Sequence, residues 1–262
     1  MTLIALVSAK GSPGCSTAAL AFTLTWPAPT LLAECDPAGG DLLAGYLSRY
    51  ELPTTRGVLP LASSALRGTA EQDLTGNLID LDSPRQQRMA LPGLTEPSQS
   101  SSLNLAWTSL ADLFARMTGS TVLADCGRLA AANPPWALLG RADLVLLTVR
   151  ARSLRTVSPA ASAIGAMRRE LPPGFVESSV GLLLVGSGIS GRDIARNLGV
   201  PVVAALPWDP GSGAALSGEG RGRRRAPLMK AAAAAYDNVC AAMAVARPEA
   251  SRRDTERLPV VR

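Results

Sequence analysis

Residues 8 to 17 read Ser-Ala-Lys-Gly-Ser-Pro-Gly-Cys-Ser-Thr. Glycines at 11 and 14 followed by the hydroxyl pair Ser16-Thr17 make a turn that can present backbone N–H groups to an anion. The apolar run Leu3-Ile4-Ala5-Leu6-Val7 before it reads as a buried strand, and Ala18-Ala19-Leu20-Ala21-Phe22 after it reads as the start of a helix. Strand, glycine turn, hydroxyl pair and helix together form a phosphate-binding layout. A loop of this kind ordinarily carries a lysine just before the hydroxyl pair, where the ammonium meets phosphate charge. Here Cys15 holds that place, and a lysine stands instead at the loop's start, Lys10. The alternative is a Gly/Pro turn with no ligand.

The elements that must position this loop recur along the chain. Val- and Leu-rich runs occur at residues 3–7, 30–33, 121–124, 143–149, 180–185 and 202–206, with a short strand expected near Met89-Ala90-Leu91. Runs without strict alternation suit strands buried on both faces of a parallel sheet. Helical patterns at 102–117, 154–170, 189–198 and 228–245 lie between or after them. This alternation predicts an α/β fold, a doubly wound, mostly parallel sheet with helices on both faces. Ligands in such sheets sit at the carboxyl ends of the strands, where the loop, Asp36 and Asp125 would converge. Residues 83–102 read as a long surface loop. Residues 209–227, rich in Gly and Arg, read either as a loop over the ligand or as a solvated insertion.

The loop resembles the deviant Walker A motif of the ParA/MinD family, Lys-Gly-Gly-x-Gly-Lys-Thr-Thr. Lys10 falls on the signature lysine, Gly11 and Gly14 on two glycines, and Ser12 replaces the third, with Pro13 between them. Cys15 falls on the lysine that neutralises the β- and γ-phosphates, Ser16 on the hydroxyl that ligands magnesium, and Thr17 on its neighbour facing the α-phosphate. Glu34-Cys35-Asp36-Pro37 resembles the family's Asp-x-Asp-Pro, so Asp36 falls on the aspartate that helps position the attacking water. Thr121 to Asp125 resembles the Walker B strand, whose aspartate holds magnesium through water; a helix-capping role is the alternative for Asp125. Leu206-Pro207-Trp208-Asp209 resembles the late segment that lines the adenine pocket, placing Pro207 and Asp209 at the base. The family's asparagine at the end of the preceding strand is missing, because Leu182 to Val185 runs into Gly186-Ser187-Gly188. The resemblance runs in family order over nearly the whole chain. It implies a ParA/MinD-like P-loop domain over residues 1–246 that binds ATP or ADP with Mg2+ and forms a homodimer in which Lys10 reaches the partner's phosphates.

Composition narrows the remaining possibilities. The 262 residues are 47% hydrophobic but only 4% aromatic, so a core must be filled by Leu, Ala and Val. The chain has no histidine, which excludes His-based acid–base chemistry and His-ligated metals within it. No apolar run approaches a membrane span, and no basic segment precedes the first apolar run, so a cytoplasmic location is expected, with recruitment to membrane or nucleoid by partners. The four cysteines, Cys15, Cys35, Cys126 and Cys240, form no C-x-x-C pair. The fold would gather Cys15, Cys35 and Cys126 near the phosphate site, either as small apolar fillers or as a metal or redox cluster.

The net charge is +5 with pI near 9.4. The densest positive cluster is Arg221-Gly222-Arg223-Arg224-Arg225, which reads as a solvated loop or as a phosphate contact, to DNA or to the bound nucleotide. Residues 247–262 read as a disordered basic tail; Pro259 and too few apolar positions count against a membrane-surface helix there.

Cysteine is too short and, when protonated, too neutral to do the work of the lysine. Hydrolysis should suffer more than binding, because charge stabilisation matters most where charge shifts in the transition state. Loss of one such charge is worth several kcal/mol, a rate drop of roughly a thousandfold. The expected function is therefore a nucleotide-binding switch or scaffold with weak or absent ATP hydrolysis. Degenerate loops of this kind resemble the CpaE/TadZ branch, which implies a cargo such as pilus or secretion machinery. The alternative is an ATP-dependent DNA-binding partition protein.

Overall fold

The computed structural model describes residues 2–11, 13–53, 55–220 and 225–256, with side chains as far as Ala246. The chain alternates through β1 (Thr2–Ser8), α1 (Cys15–Thr25), β2 (Thr30–Glu34), α2 (Val58–Arg67), α3 (Ala70–Asp73), β3 (Ile79–Asp80), β4 (Arg88–Leu91), α4 (Ser100–Leu103) and α5 (Trp107–Arg116). It continues through β5 (Thr121–Arg128), α6 (Trp136–Arg141), β6 (Leu144–Arg150), α7 (Leu154–Val157), α8 (Pro159–Glu170), α9 (Phe175–Ser179), β7 (Val180–Val185), α10 (Gly191–Leu198), β8 (Val202–Leu206), α11 (Pro210–Leu216) and α12 (Pro227–Glu256).

The strands form one sheet in the order β3-β4-β2-β5-β1-β6-β7-β8. Every pairing is parallel except β3 with β4. This is the doubly wound α/β architecture that the alternating pattern predicted. Because side chains alternate across a strand, the sheet feeds two cores. Leu3, Ala5, Val7, Ala124 and Leu147 pack with Leu110, Phe114, Ile164 and Met167 on one face. Ile4, Leu6, Leu123, Leu146 and Leu183 pack with Phe22, Trp26, Val239 and Met243 on the other. Both faces are covered, which explains why the strands lack alternation in sequence.

The second face fixes α1. Trp26, buried just past its end, donates from Nε1 to the Ala232 carbonyl on α12 at 3.0 Å. Its ring stacks on Phe22 (4.9 Å between centroids) and meets Tyr236 edge-on (5.4 Å). The helix whose N-terminus closes the glycine turn is thus clamped at its far end.

Several elements differ from expectation. Helix α1 begins at Cys15 rather than Ala18, because Gly14 takes the left-handed conformation (φ 99) that turns the chain directly into it. The pattern at 102–117 divides into α4 and α5, and that at 154–170 divides at Pro159, whose ring cannot continue a helix but can begin one. Residues 210–216 are helical, not loop: Asp209 caps α11 and Pro210 occupies its first position. Helix α12 extends to Glu256, past the boundary at 246, through Pro248. Residues 257–262 lie outside the described residues.

Candidate functional site

At the carboxyl ends of β1, β5 and β8 a cavity of about 390 Å³ opens over the glycine turn. Gly11 (φ 77) and Gly14 (φ 99) are left-handed, and a Cβ at either would meet nothing within 4 Å. The turn is therefore open, with room for an anion above it. Helix α1 has no side-chain cap, so its first amides are available to a ligand. Gly11, Pro13, Gly14, Cys15, Ser16, Thr17, Asp36, Pro207 and Asp209, all expected in the site, line this one cavity. Lys10 is exposed at the rim and does not line it. Ser12 lies outside the described residues.

Cys15 points inward. Its thiol donates to Oδ1 of Asp125 at 3.4 Å, and it also faces the Thr148 hydroxyl, which is buried without a well-formed hydrogen bond. Burial, and next the Asp125 carboxylate, push the Cys15 thiol well above its ordinary range, so it is neutral at pH 7. Asp125 also accepts from the Gly127 N–H (3.2 Å) and from the Ser16 hydroxyl. Burial raises its carboxyl, opposed by the Ser16, Gly127 and Cys15 donors. A hydroxyl and a carboxylate oxygen together are the hard donors that magnesium selects, and magnesium needs few protein ligands. Ser16 and Asp125 therefore fit that ion, and the open turn fits phosphates.

Asp125 lines a second cavity of about 340 Å³ that adjoins the first and shares Ser16, Thr17, Asp41 and Ser217 with it. Glu34 closes this cavity. Its carboxylate accepts from the N–H groups of Asp41 (2.8 Å), Leu42 (2.9 Å) and Gly93 (2.9 Å), so it braces two loops. Burial pushes its carboxyl up to about 7 against those three donors. Asp36 accepts from the Ala38 N–H at 2.7 Å, and burial also raises its carboxyl, with Ala38 and Arg128 opposing.

At the other end of the first cavity, Pro207 lies beside Trp208, which is half exposed under the Arg150 guanidinium, 3.6 Å from its ring centroid. Asp209 is occupied by structure: it accepts from the Ser212 N–H (3.0 Å), the Ser212 hydroxyl (2.7 Å) and the Leu228 N–H (3.3 Å). The Ser212 bonds hold its carboxyl below the usual range. It thereby ties α11 to α12.

Two cations at the strand ends had no motif to mark them, Arg128 on the cavity wall and Arg150 over Trp208. Arg150 follows its apolar run directly, whereas Arg128 stands after Asp125-Cys126-Gly127, beyond the run at 121–124. Arg225 is exposed; Arg221, Arg223 and Arg224 lie outside the described residues. Cys15, Cys35 and Cys126 are buried, free, and raised by burial. Among the described residues no three His, Cys, Asp or Glu side chains are grouped to hold a metal. Among them, too, no helix is long and apolar enough to cross a membrane.

No protein-family model and no curated protein matches the sequence. Solved structures do match the fold. A ParA family ATPase from Chlorobium tepidum superposes with TM-score 0.71 at 15% identity over 91% of this chain and 97% of its own. The septum site-determining protein MinD from Pyrococcus horikoshii, complexed with Mg-ADP, gives 0.69 at 15% identity over 91% and 95%. A Cyanothece McdA variant in complex with ATP gives 0.64 at 14% identity over 94% and 97%. The chain has the fold of the ParA and MinD ATPases.

Proposed function

We propose that this chain is a degenerate ParA/MinD family member that binds a nucleotide with magnesium and hydrolyses it weakly or not at all. It would dimerise as a switch or scaffold that positions a cellular cargo such as pilus or secretion machinery. One observation carries the reading: the neutral, buried Cys15 thiol bonded to Asp125 at 3.4 Å, within a glycine turn, hydroxyl pair and helix N-terminus that are otherwise present. The shared fold supports nucleotide binding, since the MinD and McdA structures hold Mg-ADP and ATP.

The amides at the start of α1 would hold phosphate oxygens. Ser16 and Asp125 would hold magnesium, Thr17 would meet the α-phosphate, and Pro207 would lie against the base. Asp36 would orient a water. Lys10, exposed at the rim, would reach the phosphates of a facing copy. A bound magnesium nucleotide would supply negative phosphate charge for Lys10 of a facing copy to meet, and a γ-phosphate open to hydrolysis. With a thiol where an ammonium usually stands, developing charge on that phosphate is left unneutralised, so binding would persist while turnover falls.

Titrating the purified chain with ATP and ADP, with and without magnesium, tests this when turnover and molar mass are measured on the same samples. Magnesium-dependent binding and dimerisation with turnover far below one per minute is the expected result. Turnover at the rate of an ordinary ATPase would overturn the switch, and absence of binding would leave only the scaffold fold. The exposed Arg225 beside Arg221 to Arg224 favours the second reading, a DNA partition protein. Salt-sensitive DNA binding that requires ATP would select it.

A further inference from the structure

The ladder between β1 and β5 slips next to the glycine turn. Leu6 pairs with Asp125, but Ser8 pairs with Arg128, so β5 carries one extra residue between the two pairs. The bulge falls at Gly127, which is left-handed (φ 63), and a Cβ there would overlap the Asp36 carboxylate. Before the bulge, Leu123 and Asp125 face α1 while Ala124 and Cys126 face the opposite core. Unbroken alternation would send residue 128 to that opposite side with 124 and 126. The slip turns it round and sets Arg128 opposite Ser8, on the α1 side.

Past the bulge the strand stays fastened to the entry of the turn. Leu129 N–H donates to the Ser8 carbonyl (2.9 Å) and Ala130 N–H to the Ala9 carbonyl (3.2 Å). The backbone just after Arg128 is thus held to β1 and the turn, and Arg128 lines the cavity with Gly11, Gly14, Cys15 and Ser16. Among the described residues lining that cavity it is the one Lys or Arg, against the carboxylates Asp36, Asp41 and Asp209. Three carboxylates repel an entering phosphate, a cation on the wall offsets that repulsion, and a guanidinium fork matches phosphate oxygens two at a time.

We infer that Arg128 supplies, from the side wall of the cavity, the positive charge toward nucleotide phosphates that Cys15 cannot supply from the turn. The inference rests on the reading that this cavity takes a nucleotide. Its chemistry differs from that of the usual loop lysine. The guanidinium comes from β5 rather than α1, and the bulge at Gly127 sets the side of the sheet it faces.

Calorimetric titration of the full chain with Mg-ADP tests it, comparing wild type with Arg128→Gln, Arg128→Lys and Arg116→Gln. Arg116 ends α5 just before β5 begins, at the opposite end of the sheet, and controls for net charge; its ion pair with Glu71, at 3.5 Å, is exposed and far from the cavity. Arg128 is exposed, so its variants should melt as wild type does. Arg128→Gln should weaken binding about tenfold or more, Arg128→Lys by less, and Arg116→Gln not measurably. In the Arg128→Gln background, adding Cys15→Lys should recover affinity. If wild type binds and Arg128→Gln binds equally well, or if Arg116→Gln weakens binding as much, the inference falls and the nucleotide reading stands. If wild type binds no nucleotide, both fall.

Discussion

The Cys15 thiol and the Asp125 carboxylate share a hydrogen bond of 3.4 Å. In this turn the carboxylate thus has a neutral donor beside it, held to the first residue of α1. The bond couples loop and strand but leaves the turn without a fixed positive charge at residue 15.

Restoring that charge should restore chemistry. Cys15→Lys is expected to raise ATP turnover by roughly a hundredfold or more, the scale of one electrostatic contact in a transition state. Steady-state phosphate release measures it, with Asp36→Asn in the same background as the control that should lower the gain. An unchanged rate in Cys15→Lys would show that the missing ammonium is not what limits turnover.

Gly127 should tolerate no side chain. Gly127→Ala places a Cβ in a left-handed conformation, which costs about 1–3 kcal/mol, and the overlap with Asp36 adds to this. Gly119→Ala isolates the conformational part, since Gly119 is also left-handed (φ 83) but its Cβ would meet nothing within 4 Å. Urea unfolding should show the larger loss at 127.

Stability should fall as pH rises toward neutrality. Folded Glu34 holds its proton up to about 7, against 4.5 for the free side chain. Between those values the folded state binds more protons than the unfolded one. The contribution is therefore full below the lower value and is lost as pH rises through the upper one. It amounts to roughly 3 kcal/mol across the window. Asp36 and Asp125, raised chiefly by burial, act in the same direction. Unfolding at pH 5 and pH 8 should show a clear drop for wild type and a smaller one for Glu34→Gln.

Asp209 should matter to structure before it matters to any ligand. Asp209→Ala removes the acceptor shared by Ser212 and Leu228 and should cost about 1–2 kcal/mol, the upper range for a lost helix cap. Its nucleotide affinity, measured well below the new melting point, should change little. A large loss of affinity without a loss of stability would return Asp209 to the binding set.

The glycine turn was legible because it is local: Gly11, Gly14 and the Ser16-Thr17 pair set a backbone conformation within a few residues of themselves. The parallel strands were legible for a related reason, since runs such as Leu3 to Val7 must be buried on both faces. Asp209-Pro210 carried an equally local helix-start signal that the Gly and Arg around it obscured. The rest depended on partners far along the chain. Whether residue 128 faces the turn or the opposite core depends on one slipped pairing with β1. Glu34 braces loops because Gly93 comes within 2.9 Å of it, and Arg150 covers Trp208 because β6 and β8 flank β7. Backbone preference and burial are written residue by residue, so the sequence alone determined the turn, the strands and the thiol, not an ammonium, at position 15. Register and neighbours arise only when distant segments pair, so tertiary structure alone decided which carboxylates are held, which thiol is silenced and which arginine lines the cavity.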